Sequence, residues 1–101
     1  MSQLLPILFA ESAVQDLEDI RDYYLEQQLP EVGDRFLEEI ISSVVELPVH
    51  PDRGRIVPEF NRPQLRELIH PPFRIVYHRD KSRLRIVCVW RSERLMRLPC
   101  R

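Results

Sequence analysis

The chain has 101 residues and a mass of 12.1 kDa, enough for a single core and one domain spanning residues 1–101. Hydrophobic residues make up 44% and charged residues 31%, a balance that sustains a packed core and excludes a disordered chain, while 2 glycines are too few for a glycine-rich phosphate loop. The net charge of −1 conceals a segregation: residues 1–52 hold 2 basic against 12 acidic side chains, and residues 53–101 hold 13 basic against 4 acidic. Such a basic half suggests an acidic partner, nucleic acid or an acidic protein segment, and because twelve of the thirteen are arginine it suits bidentate carboxylate or phosphate recognition.

Met1 to Ala10 is uncharged, but it contains Pro6, lacks a basic leader and runs into an acidic segment. It reads as neither a signal peptide nor a membrane span, so a soluble cytoplasmic protein is expected. Within it, Leu4 to Phe9 is an apolar run too short for a helix, and Pro6 confines it to an edge strand or a strand with a break. Ser12 then offers an N-cap with Gln15 three residues on, and Ala13, Leu17, Ile20 and Tyr24 recur at helical spacing. The Leu29-Pro30 step ends that helix. A second starts at Pro30 and holds Val32, Phe36, Ile40, Val44 and Leu47 on one face until Pro48, so the two form a hairpin.

His50 to Gly54 reads as a loop, after which the apolar period falls from 3.6 to 2. Strands are expected at Arg55–Val57, Leu65–Ile69, Phe73–Arg79 and Arg83–Arg91, the last two joined by Asp80-Lys81-Ser82. Strict alternation puts Phe73, Ile75 and Tyr77 on the core face of one strand and Leu84, Ile86, Cys88 and Trp90 on that of the next. The opposite face would then carry Arg74, Val76 and His78 beside Arg83, Arg85, Val87, Val89 and Arg91. This mixture of arginine and apolar side chains wants a partner. The expected architecture is α+β, in the order β-α-α-β-β-β, with a helical hairpin on one face of a mainly antiparallel sheet.

Cys88 inside a strand and Cys100 beside the last residue are expected as two unpaired thiols, and His50, His70 and His78 fit no zinc spacing. No glycine-flanked serine suggests a nucleophile. Metal-free RNA cleavage would need an acid or base with cations around the phosphate, roles open to Arg74, Arg91, His78 and Tyr77. Tyr77 and His78, however, are strand neighbours and point to opposite faces.

Arg66-Glu67-Leu68-Ile69, followed by Phe73-Arg74-Ile75-Val76-Tyr77 and by Ile86-Val87-Cys88-Val89-Trp90-Arg91, resembles the ParE branch of the ParE/RelE toxin superfamily of type II toxin-antitoxin modules. Gly54-Arg55-Ile56-Val57-Pro58-Glu59-Phe60 upstream, and Ala13, Asp16-Leu17, Ile20 and Tyr23-Tyr24 on the first helix, extend the resemblance over nearly the whole chain. It implies a RelE/ParE-like fold and a toxin of the plasmid-stabilisation kind. A cognate antitoxin with an acidic or amphipathic C-terminal segment would wrap around it. ParE-like members poison DNA gyrase, whereas RelE-like members are endoribonucleases that cut mRNA in the ribosome. By resemblance Arg74 falls on the family's strand arginine, and Arg91 or Arg94 on the basic residues after the last strand; these three would be catalytic only in a nuclease. The tail from Arg94 to Arg101 has neither Tyr nor His, which favours gyrase over mRNA as the target, with a degenerate toxin that only binds antitoxin as a further alternative. No cofactor or metal is expected. Target or antitoxin binding is assigned to Arg66, Arg74, Val76, Arg85, Val87, Val89, Arg91 and Arg94.

Overall fold

The computed structural model describes residues 4–91. Its elements are β1 (Ile7–Phe9), α1 (Glu11–Glu26), α2 (Pro30–Val45), β2 (Arg55–Ile56), β3 (Leu65–His70), β4 (Phe73–Arg79) and β5 (Leu84–Arg91). The strands form one sheet in the order β1-β5-β4-β3-β2, antiparallel except for the parallel β1–β5 pair, and the two helices cover one face. The expected α+β class and helical hairpin are therefore present, with four strands after the hairpin where the expected order counts three.

Helix α1 begins earlier than the capping pattern suggests. Ala10 is the N-cap and no side chain caps it, because the Ala10 N–H continues the β1–β5 ladder to the Ile86 carbonyl at 2.9 Å and the chain turns directly from strand to helix. Ser12 instead donates its Oγ–H to the Val87 carbonyl at 2.6 Å, and Asp16 Oδ2 accepts the Val89 N–H at 2.9 Å. Two side chains of α1 thus pair with the edge of β5 beyond the point where three-residue β1 stops. The other end of α1 closes with a left-handed Gln28 (φ 60°). The Leu29 N–H reaches the Tyr24 carbonyl at 2.8 Å and the Gln28 N–H the Leu25 carbonyl at 3.0 Å, a Schellman arrangement. Pro30 occupies the first turn of α2, as expected. Gly33 lets the helices meet, since a Cβ there would lie 2.9 Å from Tyr24 Cβ.

Between sheet and helices lie Ala13, Ile40, Val44, Leu47, Leu68, Phe73, Ile75, Tyr77, Leu84, Ile86 and Val89, with Tyr24 and Phe36 packed against them. The alternation expected for β4 is observed. That for β5 is not, because pairing jumps from Val76↔Cys88 to Tyr77↔Ile86 and leaves Val87 as a bulge. The extra residue reverses the phase of the strand. Val89 consequently faces the helices, while Cys88 and Trp90 turn to the outer face with Val76 and Val87. Cys88 is fully buried and disulfide-bonded, which corrects the expectation of a free thiol there. Cys100 and Arg94 lie outside the described residues.

The outer face is not open along its length. The segment between β2 and β3 folds over it, held by Val57 N–H to Leu65 O at 3.1 Å and by the Phe60 and Asn61 N–H groups turning back to Val57 O. Phe60 packs on Val57, Leu65, Val76, Val87, Cys88 and Trp90, a second small core on the side away from the helices.

Candidate functional site

Glu67 sits on the outer face of β3 with its side chain wholly buried, flanked by two arginines. The β2–β3 register puts Arg55 directly across from it, and the β3–β4 register places Arg74 on its diagonal, two residues from its partner Val76. Arg55 Nε donates to Glu67 Oε2 at 2.7 Å and Arg74 Nε to Oε1 at 2.6 Å. Glu59, carried over the sheet by the β2–β3 segment, receives the other end of Arg74, with Nη1 at 2.7 Å from Oε2 and Nη2 at 2.8 Å from Oε1. The pairing is the bidentate fork that arginine makes with a carboxylate. The Glu59 hydrogen bonds, then those of Glu67, raise the Arg74 pKa against the opposing effect of burial. Its charge is matched inside the fold.

A second group fixes the loop before β2. Tyr77 Oη accepts the Gly54 N–H at 2.9 Å and donates to the Pro51 carbonyl at 2.8 Å. Glycine is required at 54 because a Cβ would lie 2.7 Å from both the Glu67 carbonyl and the Tyr77 hydroxyl. Arg66 braces the same loop, donating Nη1 to Gly54 O and Nε to Pro63 O, both at 3.0 Å. Burial raises the Tyr77 pKa.

The residues assigned from sequence therefore separate. Arg66 and Arg74 are tied to partners within the chain, and Val76, Val87 and Val89 are buried, Val89 on the helix side of the sheet rather than the outer face. Arg85 is exposed on the outer face directly across from exposed His78. Arg91 is exposed at the far end of β5, its guanidinium carbon 5.9 Å from the centre of the Phe73 ring. It borders a cleft of about 390 Å³ between α1 and the sheet, which Asp16, Asp19, Tyr23 and Trp90 also line. Tyr77 and His78 fall on opposite faces, as expected, and the Tyr77 hydroxyl is spent on backbone groups. Sequence reasoning missed Glu59 and Glu67; the signal was a lone carboxylate amid the apolar residues of a strand, seven positions before an arginine.

Among the described residues no helix is long and apolar enough to cross a membrane, and no three His, Cys, Asp or Glu side chains converge on a metal-sized site. The family described as the ParE toxin of type II toxin-antitoxin system, parDE, matches residues 7–96. Among solved structures the chain is similar to one titled as the chromosomal ParDE TA system from P. aeruginosa, with a TM-score of 0.76 and 23% identity over 91% of this chain and 100% of that one. A comparison with curated protein sequences gives no match.

Proposed function

Since the chain belongs to the ParE toxin family of type II toxin-antitoxin systems, we propose that it stops growth by poisoning DNA gyrase in the cytoplasm and that a cognate antitoxin neutralises it. The observation that supports gyrase over mRNA as the target is the state of Arg74. Cleavage of RNA without a metal needs a cation facing the pentacovalent phosphate. All three nitrogens of Arg74 donate to Glu59 or Glu67, so its charge is already compensated. Tyr77 is buried with its hydroxyl bound to Pro51 and Gly54, and cannot meet a substrate shared with His78. In this reading Arg66, Arg74, Val76, Val87 and Val89 build the sheet, while Arg85, Arg91 and Arg94 present charge to the target or the antitoxin.

The test runs the purified protein in two assays side by side, gyrase supercoiling with DNA cleavage, and primer extension on mRNA in programmed ribosomes. Accumulation of cleaved DNA with intact mRNA is expected. Codon-specific cuts with unaffected gyrase would overturn the proposal and make the chain an endoribonuclease. Inactivity in both assays with antitoxin binding retained would overturn it in favour of a copy that only binds.

A further inference from the structure

We propose that the hairpin end of the outer sheet face, built around Arg85 and His78, docks against the phosphate backbone of duplex DNA. The inference rests on the gyrase reading, because that target brings its own DNA. Arg85 and His78 are cross-strand partners, so their side chains leave the same face side by side, and both are exposed. The turn that joins their strands adds exposed Lys81 and Arg83, and the loop that bonds back to the Leu65 N–H through the Arg62 carbonyl adds exposed Arg62; Leu65 is the other cross-strand partner of His78. The topology therefore gathers three arginines, a lysine and a histidine at one end of the sheet, with Asp80 offsetting one of the four positive charges.

Three features distinguish this cluster from the other arginines. First, Arg53, Arg55, Arg66, Arg74 and Arg79 each have a carboxylate within 2.6–3.5 Å, whereas Arg62, Lys81 and Arg85 form no ion pair among the described residues. Second, the acidic side chain within the turn, Asp80, is 39% exposed but already engaged: its Oδ1 accepts from Ser82 N, Ser82 Oγ and Arg83 N at 2.8–2.9 Å, and Arg83 Nε lies 3.9 Å from Oδ2, so it offsets Arg83 and leaves Arg62, Lys81 and Arg85 uncompensated by it. Third, the acidic half of the chain forms the two helices on the opposite face of the sheet, so an anion is drawn to this side and repelled from that one.

An acidic peptide is a poorer occupant. A protein partner needs an apolar anchor. Here the neighbouring outer-face residues Leu65 and Val76 are already buried, with Phe60 packed against them, and exposed Leu8, the β1 partner of Arg85, is the apolar residue that remains beside it. The cleft of about 540 Å³ beside the turn takes in Lys81 but is lined by Leu4, Leu5, Pro48, Val49 and Arg79 rather than by Arg62, His78 or Arg85. Charged side chains outside an apolar pocket are the footprint of sequence-independent phosphate contact.

The experiment measures binding of the purified protein to a fluorescent duplex by anisotropy across a salt series, and gyrase cleavage and antitoxin affinity in parallel. It compares the wild type with Arg85→Glu, with Arg62→Glu and with Arg21→Glu, the last carrying the same charge change on exposed α1. Thermal melts of all four confirm folding. Wild type is expected to bind with a linear log–log salt dependence, and Arg85→Glu and Arg62→Glu are each expected to flatten that slope by about 1. Both should lower duplex affinity by about tenfold or more and weaken cleavage-complex formation, with Arg21→Glu unchanged and antitoxin affinity retained. Gyrase poisoning by wild type with equal duplex binding by all four proteins would refute the surface and leave the function standing. Loss of antitoxin affinity without loss of duplex affinity would reassign the surface to an acidic peptide. Should wild type fail to poison gyrase, the duplex series alone decides: a flattened slope upholds the DNA surface while the function reading falls, and an unchanged slope refutes both.

Discussion

Arg74→Met is the substitution whose outcome depends most directly on the buried network. It removes three charge-assisted hydrogen bonds, but the three do not count alike. Glu59 is 29% exposed and recovers water, whereas the Glu67 side chain is 0% exposed and keeps only Arg55, itself 58% exposed. Stranding one partner of a buried pair costs about 3–5 kcal/mol, and the remaining Arg55 contact places the expected loss at the lower end, about 3 kcal/mol. At a urea slope of about 1.5–2 kcal/mol/M this lowers the unfolding midpoint by about 1.5–2 M. Replacing both members, Arg74→Met with Glu67→Leu, is expected to cost less than the two single losses together, with a coupling of at least about 1 kcal/mol. Equilibrium urea unfolding by circular dichroism measures all three variants. A midpoint shift below about 0.5 M for Arg74→Met with an unchanged slope would refute the reasoning, since the network would then be worth no more than a surface ion pair.

Tyr77→Phe leaves the Gly54 N–H and the Pro51 carbonyl without their shared partner and is expected to cost about 1–3 kcal/mol in the same assay. The sign of its pH dependence follows from the raised pKa: burial stabilises the protonated phenol of the folded state, a contribution fully present below the ordinary tyrosine value of about 10 and lost as pH rises through the folded value, so the wild type weakens at alkaline pH more steeply than Tyr77→Phe. Gln28→Gly relieves a left-handed side-chain-bearing residue at the end of α1 and should stabilise the fold by about 0.5–1 kcal/mol, read as a higher melting temperature; a lower one would mean that Gln28 is unstrained. Phe36→Ala removes a half-buried ring whose centroid lies 5.5 Å from that of Tyr24 and 5.3 Å from that of Phe73, and a loss of about 2–3 kcal/mol is expected from chemical denaturation.

Periodicity revealed the helices because Leu17, Ile20 and Tyr24, and Phe36, Ile40 and Val44, recur at helical spacing among mainly charged or polar residues and so mark the buried face. It served β4 equally well. In β5 it failed past Ile86, since every residue from 86 to 90 is apolar and a strand with no polar position carries no phase; the bulge at Val87 could only be seen in the pairing. Ser12 had the chemistry of a cap but not the position, because the ladder bond of Ala10 had already fixed where the helix starts. The arginine-rich composition pointed to carboxylates or phosphates without showing which, or whether they lie inside the chain. Glu59 and Glu67 claim some of the guanidinium groups internally, and separating these from the exposed Arg62 and Arg85 required knowing that the segment after β2 returns across the sheet.

The pairing of β1 with β5 constrains the order in which the molecule can assemble. Strand β1 finds its neighbour only when residues 84–86 have been made, and the side chains of Ser12 and Asp16 wait for Val87 and Val89. Until then the apolar faces of α1 and α2 lack Leu84, Ile86 and Val89, the part of the core contributed by β5. Contacts between such distant parts of a chain form late and slowly. A message truncated or frameshifted before codon 84 therefore yields a product that cannot close its core and is exposed to proteolysis. For a member of a toxin family, the amount of folded product then scales with complete translation events, and interrupted ones add nothing to it.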